Sequence, residues 1–429
     1  MKAIGIDIGT TSVCGVVIDA VTGKVISSVT KNSDAFIGGC KPWEKIQSVE
    51  KIISIAKEIL DGFLTEDTKV IGVTGQMHGI VYVDCKGTAV SPLYTWQDGR
   101  GNLVYKDGKT YAEFLGGASG YGNVTDFYNR ENGLRPQNAV SYCTIHDYFV
   151  MQLCGNKKPL MHASDAASFG CYDIEANKFN YDVDVEVTKD YCIAGKYHNV
   201  PVSVAIGDNQ ASVFSTLADE NDILLNIGTG SQVSIISDTP VLAENIETRP
   251  YFEGKYLIVG SALCGGRAYS LLKNFYADIF GYIKSLDDDA VYEIMNKMLE
   301  KKESSTLRID TRFAGTRADA NIKGSISGIT TENFTPSEFT IGILEGMAEE
   351  LFGMYRLMGT KKCGIVGSGN GVRKNAALVK IFEEKFGSKM KIPGHLEEAA
   401  FGAALFGLVC AKMFGTASEV QKLIKYDRS

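Results

Sequence analysis

One short phrase occurs twice in this chain. Asp7-Ile8-Gly9-Thr10-Thr11-Ser12 closes the first apolar stretch, and Asn226-Ile227-Gly228-Thr229-Gly230-Ser231 closes a second one about half the chain later. A strand that breaks into glycine and hydroxyl residues before another strand forms a tight hairpin. Its backbone N–H groups and hydroxyls then point outward, as a phosphate requires. Two copies, one per half, predict a duplicated fold that grips one polyphosphate.

The length of 429 residues exceeds one ordinary core and predicts two domains. The 45% hydrophobic and 22% charged content is that of a soluble globular protein rather than a disordered or membrane-spanning one. A net charge of −7 leaves no basic surplus for a nucleic-acid or anionic-membrane partner, although loops can still bind a small anion. Met1-Lys2 leads straight into a strand with no leader ahead of it, and the 10 cysteines are scattered without a CxxC pair. These features predict a cytoplasmic protein whose thiols are reduced and buried, Cys14, Cys264, Cys363 and Cys410 among them. The 5 histidines do not pair with cysteines at zinc spacing.

The opening 26 residues read as strand, hairpin, strand, turn, strand. Ile46, Val49, Ile53, Ala56 and Leu60 fall on one helical face, and residues 69–84 read as strand, loop, strand. Residues 101–200 are irregular apart from a helix near Ile145–Leu153, and read as an insertion that shapes a binding site. After Pro201 the strand–hairpin–strand pattern restarts, which places a domain boundary at 202/203. Late in the chain come helices at 339–358 and 397–413, with a strand, glycine-rich loop and helix between them.

Four constellations carry chemistry. Asp7, at a strand end beside a phosphate hairpin, can hold Mg²⁺ or simply cap a turn; the second copy has Asn226 there, so the charge is not duplicated. Gly367-Ser368-Gly369-Asn370-Gly371 joins a strand to a helix, where backbone can approach an anionic ligand. It has neither the Rossmann spacing nor the P-loop lysine. Asp208, after an apolar strand, is either a helix cap or a base that takes the proton of an attacking hydroxyl. The loops Thr74–Gly79 and Thr95–Arg100 offer amide, imidazole, indole, carboxylate and guanidinium groups. That mixture suits a polyhydroxylated ligand, with core roles for His78 and Trp96 as the alternative.

In this order, these motifs resemble the FGGY carbohydrate kinases of the hexokinase–actin–chaperone ATPase superfamily, from residue 3 to about 413. The resemblance implies an α/β fold of two similar ribonuclease H-like domains, 1–202 and 203–429, with an ATP and sugar cleft between them. It implies ATP and Mg²⁺ as cofactors and a small sugar as substrate, and leaves a homodimer open. Carried over by position, Asp208 is the catalytic base and Asp7 places the metal. Gly9, Thr10, Thr11, Gly228 and Thr229 hold phosphates, and Gly367, Gly369 and Asn370 lie by the adenosine. Gln76, Met77, His78, Trp96, Asp98 and Asn209 line the sugar site. Within the family, the stretches TGQMHG, TWQDGR, TIHDY and VAIGDNQAS are most similar to the sedoheptulose kinases, with xylulose kinases next. A sugar sensor on a kinase scaffold would not need Asp7 and Asp208, and an actin-like filament or chaperone would not need the two polar loops.

Overall fold

The structure, a computed structural model, describes residues 1–38, 41–300, 303–316, 319 and 321–428. Packing divides the chain into two compact units. The first comprises Met1–Ala218, Arg249–Lys255 and His395–Lys425; the second comprises Asp219–Thr248, Tyr256–Gly394 and the stretch from Tyr426.

The first unit is built on a mixed sheet. Its strands are β1 (Lys2–Ile8), β2 (Ser12–Asp19), β3 (Val25–Asn32), β4 (Thr68–Gly75), β5 (Ile193–Tyr197) and β6 (Val200–Ser203), in the order β5-β6-β4-β1-β2-β3, with β7 (Ile206–Gly207) also paired to β4. β1 runs antiparallel to β2, with Ile8 opposite Val13, and parallel to β4, with Ile8 beside Gly75. Helix α1 (Val49–Phe63) starts where the Ser48 side chain accepts from Lys51 N–H, and buries Val49, Ile52, Ala56, Ile59 and Leu60. Ile46, expected on this helix, instead pairs in a short strand with Tyr94. Among the helices that lie between α1 and α4 (Asp208–Thr216) are α2 (Ile145–Cys154) and α3 (Ala163–Ser168).

The second unit repeats the local order. β8 (Asp222–Ile227) turns into β9 (Ser231–Ser237), with Ile227 opposite Ser231. Beyond β10 (Ile246–Pro250) and β11 (Tyr256–Ala262) lie β12 (Gly364–Ser368), β13 (Met390–Pro393) and β14 (Tyr426–Arg428), in the order β10-β11-β9-β8-β12-β13-β14. β8 pairs antiparallel with β9 and parallel with β12, as β1 does with β2 and β4. Each hairpin strand is thus flanked by its own return strand on one side and a parallel strand on the other. Helices α5 (Gly265–Gly281), α6 (Pro336–Leu357) and α7 (Gly369–Lys374) belong to this unit. The predicted 339–358 helix is α6, begun earlier by Thr335 as cap and Pro336 in the first turn.

The division at 202/203 differs from the packing in two places. β6 and β7 add to the first sheet, where Val202 pairs with Ile71 and Ile206 with Thr74, so the second unit starts only at Asp219. Helix α8 (Glu398–Cys410), late in sequence, packs in the first unit on β1, β4 and α4. Its residues from Ala400 to Cys410 are all buried. Small residues allow the approach: a Cβ on Gly5 would lie 1.8 Å from the Ala400 carbonyl oxygen, and one on Gly72 1.8 Å from that of Ala403. Residues 101–200 are likewise less of an insertion than their composition suggests, since β5 and β6 form one edge of the main sheet. Cys14, Cys264 and Cys410 are buried free thiols, but Cys363 is exposed, because it lies outside β12 at the strand's entry.

Candidate active site

The first hairpin is wired into the polar loops of its own unit. The Thr10 hydroxyl accepts from Trp96 Nε1 at 2.9 Å and donates to Gln76 Oε1 at 3.3 Å. Gln47 Nε2 donates to the Thr10 carbonyl at 2.6 Å, and Gln76 Nε2 to Gln47 Oε1 at 3.0 Å. Gly9 and Thr11 flank this knot, with Ser33 N–H bonded to the Thr11 carbonyl at 2.8 Å. The Gly9–Thr11 hairpin and the Thr74–Gly79 and Thr95–Arg100 loops are therefore joined by hydrogen bonds. Gln76 and Met77 are buried, whereas Trp96 keeps 47% of its surface exposed at the rim.

His78 sits at φ 71°, a left-handed conformation that non-glycine residues adopt only under constraint. The constraint is visible. Its N–H donates to Ser168 Oγ at 3.1 Å, its Nδ1 lies 2.7 Å from the Ser168 carbonyl, and its ring stacks on Tyr121 at 4.9 Å. Because a carbonyl can only accept, Nδ1 carries the proton. Asp98 has a different role from the one expected. Oδ1 accepts from Arg100 N and Nε at 3.1 and 2.7 Å, and Oδ2 accepts from Lys45 N and Arg100 Nη2 at 3.0 and 3.1 Å. Four donors fill a carboxylate's four acceptor positions, so Asp98 braces the loop around the buried Arg100 instead of facing a sugar.

Asp208 is the first residue of α4. Gly207 occupies the cap position and no side chain makes the capping bond, so the cap reading of Asp208 falls away. The backbone leading to it is held tightly: Gly207 N–H donates to Ser164 Oγ at 3.1 Å, and Gly207 pairs with Gly75 at the end of β4. Met77 covers the same glycine, whose Cβ would lie 2.7 Å from the Met77 sulfur. Next along α4, Asn209 Oδ1 accepts from Arg249 Nη1 at 3.1 Å.

Desolvation pushes the Asp208 carboxyl up to about 6, opposed by His146, the Asn209 amide and Arg249. Asp7, at the end of β1, is pushed up to about 7 by desolvation and then by the Asp208 and Glu397 charges, with His146 opposing. Its Oδ1 is buried with no hydrogen-bond partner. An orphaned carboxylate oxygen beside a second carboxylate is a donor set that fits Mg²⁺, a hard cation that prefers oxygen.

In the second unit, Gly228 N–H bonds the Gly230 carbonyl at 3.0 Å, and the Gly228 and Thr229 carbonyls accept from Gly266 and Arg267 N–H at 2.9 and 3.0 Å. The hairpin thus sits on the first turn of α5, a partnership the sequence motif did not disclose, although Gly265-Gly266 was its signal. A Cβ on Gly266 would lie 2.5 Å from the Gly228 carbonyl oxygen. Ser368 pairs with Asn226, so Gly367 stands on the strand beside the hairpin and Gly369 opens α7. Gly369 has φ 80°, and its Cβ would lie 2.5 Å from the Ile227 carbonyl. Asn370 follows in α7 and is exposed. A cavity of about 770 Å³ elsewhere in this unit, lined by Arg308, Arg312, Glu345 and Glu349 among others, contains none of these residues.

Sequence reasoning missed His146, Asp165, Arg249 and Glu397. The signal for the first was present: two ionisable residues, His146 and Asp147, open an otherwise apolar helix.

Family models agree with this architecture. The N-terminal domain of the FGGY family of carbohydrate kinases matches residues 2–110, and its C-terminal domain matches residues 223–411. The chain belongs to the FGGY family of carbohydrate kinases, enzymes that transfer phosphate from ATP to a sugar hydroxyl. Among curated relatives it is similar to the sedoheptulokinase of Mus musculus, with 28% identity over 94% of this chain and 96% of the relative. It is also similar to the xylulose kinase of Staphylococcus epidermidis, with 23% identity over 99% and 91%. Its fold matches the crystal structure of xylulose kinase from Rhodospirillum rubrum at a TM-score of 0.85, with 17% identity and coverage of 100% and 94%. No helix among the described residues is long and apolar enough to cross a membrane.

Proposed function

We propose that the protein phosphorylates the terminal hydroxyl of an open-chain ketose, with sedoheptulose, giving the 7-phosphate, as substrate. The observation that carries the chemistry is Asp208: a carboxylate at a helix start that caps nothing, following a Gly207 whose N–H is fixed by Ser164, and pushed up to about 6 by burial. At neutral pH it is mostly ionised and basic enough to take the proton of the attacking hydroxyl. Gln76, Met77, His78, Trp96 and Asn209 supply the sugar contacts, with Asp98 holding their loop. Gly9, Thr10, Thr11, Gly228 and Thr229 are the phosphate residues of this reading, and Gly367, Gly369 and Asn370 those of the adenosine. Asp7, whose Oδ1 has no hydrogen-bond partner, would hold Mg²⁺, which when bound would neutralise charge on the phosphates. The choice of sugar rests on the similarity to sedoheptulokinase over nearly the whole chain; xylulose is the second reading, from the more distant xylulose kinases.

The test is ATP-dependent ADP release with a panel of ketoses, comparing kcat/KM for sedoheptulose and xylulose. Asp208→Asn should lower kcat by about two to four orders of magnitude, the range of a general base, while sugar binding persists. Wild-type turnover by that variant would remove the base assignment. Tight sugar binding with no ADP release from any ketose would make the protein a sensor.

A further inference from the structure

One buried side chain of the first unit is bonded to both the Gly9–Thr11 hairpin and the Thr74–Gly79 loop, and the reaction as described does not use it. Gln47 stands just before the Ser48 cap of α1, in a short strand where it pairs with Phe36 on one side and Leu93 on the other. It is fully buried. Its carboxamide joins two residues remote from it in sequence. Nε2 donates to the Thr10 carbonyl at 2.6 Å, and Oε1 accepts from Gln76 Nε2 at 3.0 Å.

Chemistry fixes the direction of every hydrogen bond around it. The Trp96 indole can only donate, so the Thr10 hydroxyl accepts from it and sends its own hydrogen to Gln76 Oε1, at 3.3 Å. That leaves Gln76 Nε2 to donate to Gln47, and Gln47 Nε2 to donate to the Thr10 carbonyl, which can only accept. The links form a ring that leaves Thr10 by its side chain and returns to it by its main chain. The peptide bond carries the consequence one step further. The Thr10 carbonyl and the Thr11 N–H belong to one planar trans unit and point in opposite directions. Holding the carbonyl on Gln47, with Ser33 Oγ as a longer second donor at 3.4 Å, turns the Thr11 N–H away from Gln47.

We propose that Gln47 is a positioning residue for both substrates: it aims the Thr11 N–H at the phosphates and the Gln76 carboxamide at the ketose, so that each substrate tightens the binding of the other. The inference rests on Gln76 and Trp96 meeting the sugar and Thr11 the phosphates. A ketose held by Gln76 and Trp96 restrains both partners of the Thr10 hydroxyl, and so draws in the longest link of the ring, the 3.3 Å bond to Gln76. With the ring closed, the peptide between Thr10 and Thr11 cannot turn over without breaking the 2.6 Å bond from Gln47. A nucleotide that needs the Thr11 N–H then meets it already oriented, and less of its binding free energy goes into ordering the hairpin. Linkage makes the effect mutual: the factor that ketose adds to nucleotide affinity is the factor that nucleotide adds to ketose affinity.

Gln47→Met tests this on the full chain, because methionine keeps the length of the side chain and removes both bonds. The first readout needs no ligand. The chain has 2 tryptophans, and the ¹H–¹⁵N signal of the Trp96 indole is assigned by its loss in Trp96→Phe. Gln47 reaches that ring only through Thr10 and Gln76. Gln47→Met should nevertheless make the Trp96 indole exchange with solvent about tenfold faster, the worth of one ordinary hydrogen bond, while Trp43 keeps its rate. The second readout is calorimetric binding of the ATP analogue ADPNP with Mg²⁺, without and with saturating sedoheptulose or xylulose. The wild type should bind the analogue at least about fivefold tighter with ketose present, and Gln47→Met should reduce that factor below about twofold. Gln47→Glu keeps an acceptor for Gln76 but sets an oxygen against the Thr10 carbonyl. It should give both results, and it replaces the methionine variant if that one does not fold. Unchanged Trp96 exchange overturns the proposal, as does a coupling factor that the variant leaves intact or that is absent from the wild type. A wild type that binds neither ketose removes the sugar reading itself, and the Trp96 exchange alone then decides whether Gln47 holds the hairpin.

Discussion

Replacing Gly402 by alanine tests whether the return of α8 to the first unit sets the position of Asp208. The added Cβ would lie 1.9 Å from the carbonyl oxygen of Ala211 and 2.6 Å from its carbonyl carbon. Ordinary carbon–oxygen contact is about 3.3 Å, so the two helices must part by roughly 1.4 Å at this point. Both obstacles are backbone and cannot rotate away. α8 cannot retreat easily either, because Ala400 and Ala403 press equally closely on Gly5 and Gly72. The movement falls on α4, where Asp208 lies one turn before Ala211. Overpacking of a core typically costs 1–3 kcal/mol, and with backbone on both sides about 3 kcal/mol is expected. A displacement near 1 Å at a reacting group costs about a hundredfold in rate. Urea unfolding followed by circular dichroism reads the first quantity, and ADP release at saturating ketose reads the second. Gly62→Ala is the control: in α1, with no atom within 4 Å of the added Cβ, it should stabilise by about 0.5–1 kcal/mol by restricting the unfolded chain. If Gly402→Ala is as stable as wild type and turns over within twofold of it, the close packing is wrong. If it is destabilised but keeps its kcat, α4 does not carry the chemistry.

Two further outcomes follow from the site. Because Asp208 must be ionised to act and titrates near 6, kcat/KM measured at saturating Mg²⁺ should fall about tenfold per pH unit below 6. The fold should not fail with it: a carboxyl whose folded pKa is raised adds stability that is fully present below its unfolded value and lost as pH rises through 6. Circular dichroism unchanged at pH 5 with activity already low would support this, and an acid limb near 4 would contradict it. Asp98→Asn should destabilise by about 3–5 kcal/mol, because it strips the buried Arg100 of its main partner. A variant with wild-type thermal stability but a raised KM for ketose would restore Asp98 as a sugar ligand.

The two hairpins, the glycine turn at 367–371 and the helices at 49–63 and 336–357 could be read from the chain because each is a local matter. Glycine permits a turn wherever it stands, Ser48 and Thr335 cap helices three residues ahead, and an apolar stripe repeats every 3.6 residues. The repeat further implied two sheets of one topology, which the matching strand orders bear out. Position along the chain misled where distant segments pair. Val202 and Ile206 restart an apolar pattern, yet their partners are Ile71 and Thr74, so they extend the first sheet.

The same limit governs the site. The sequence by itself determined which residues could do chemistry: Asp7, Asp208, the two glycine hairpins and the polar loops. Only the tertiary structure decided that Asp208 caps nothing, that Asp98 is consumed by Arg100, and that Gln47 joins Thr10 to Gln76. Periodicity says which face of a segment is apolar, but not which surface it will meet. A buried charge acquires its meaning only from the partner that folding brings to it.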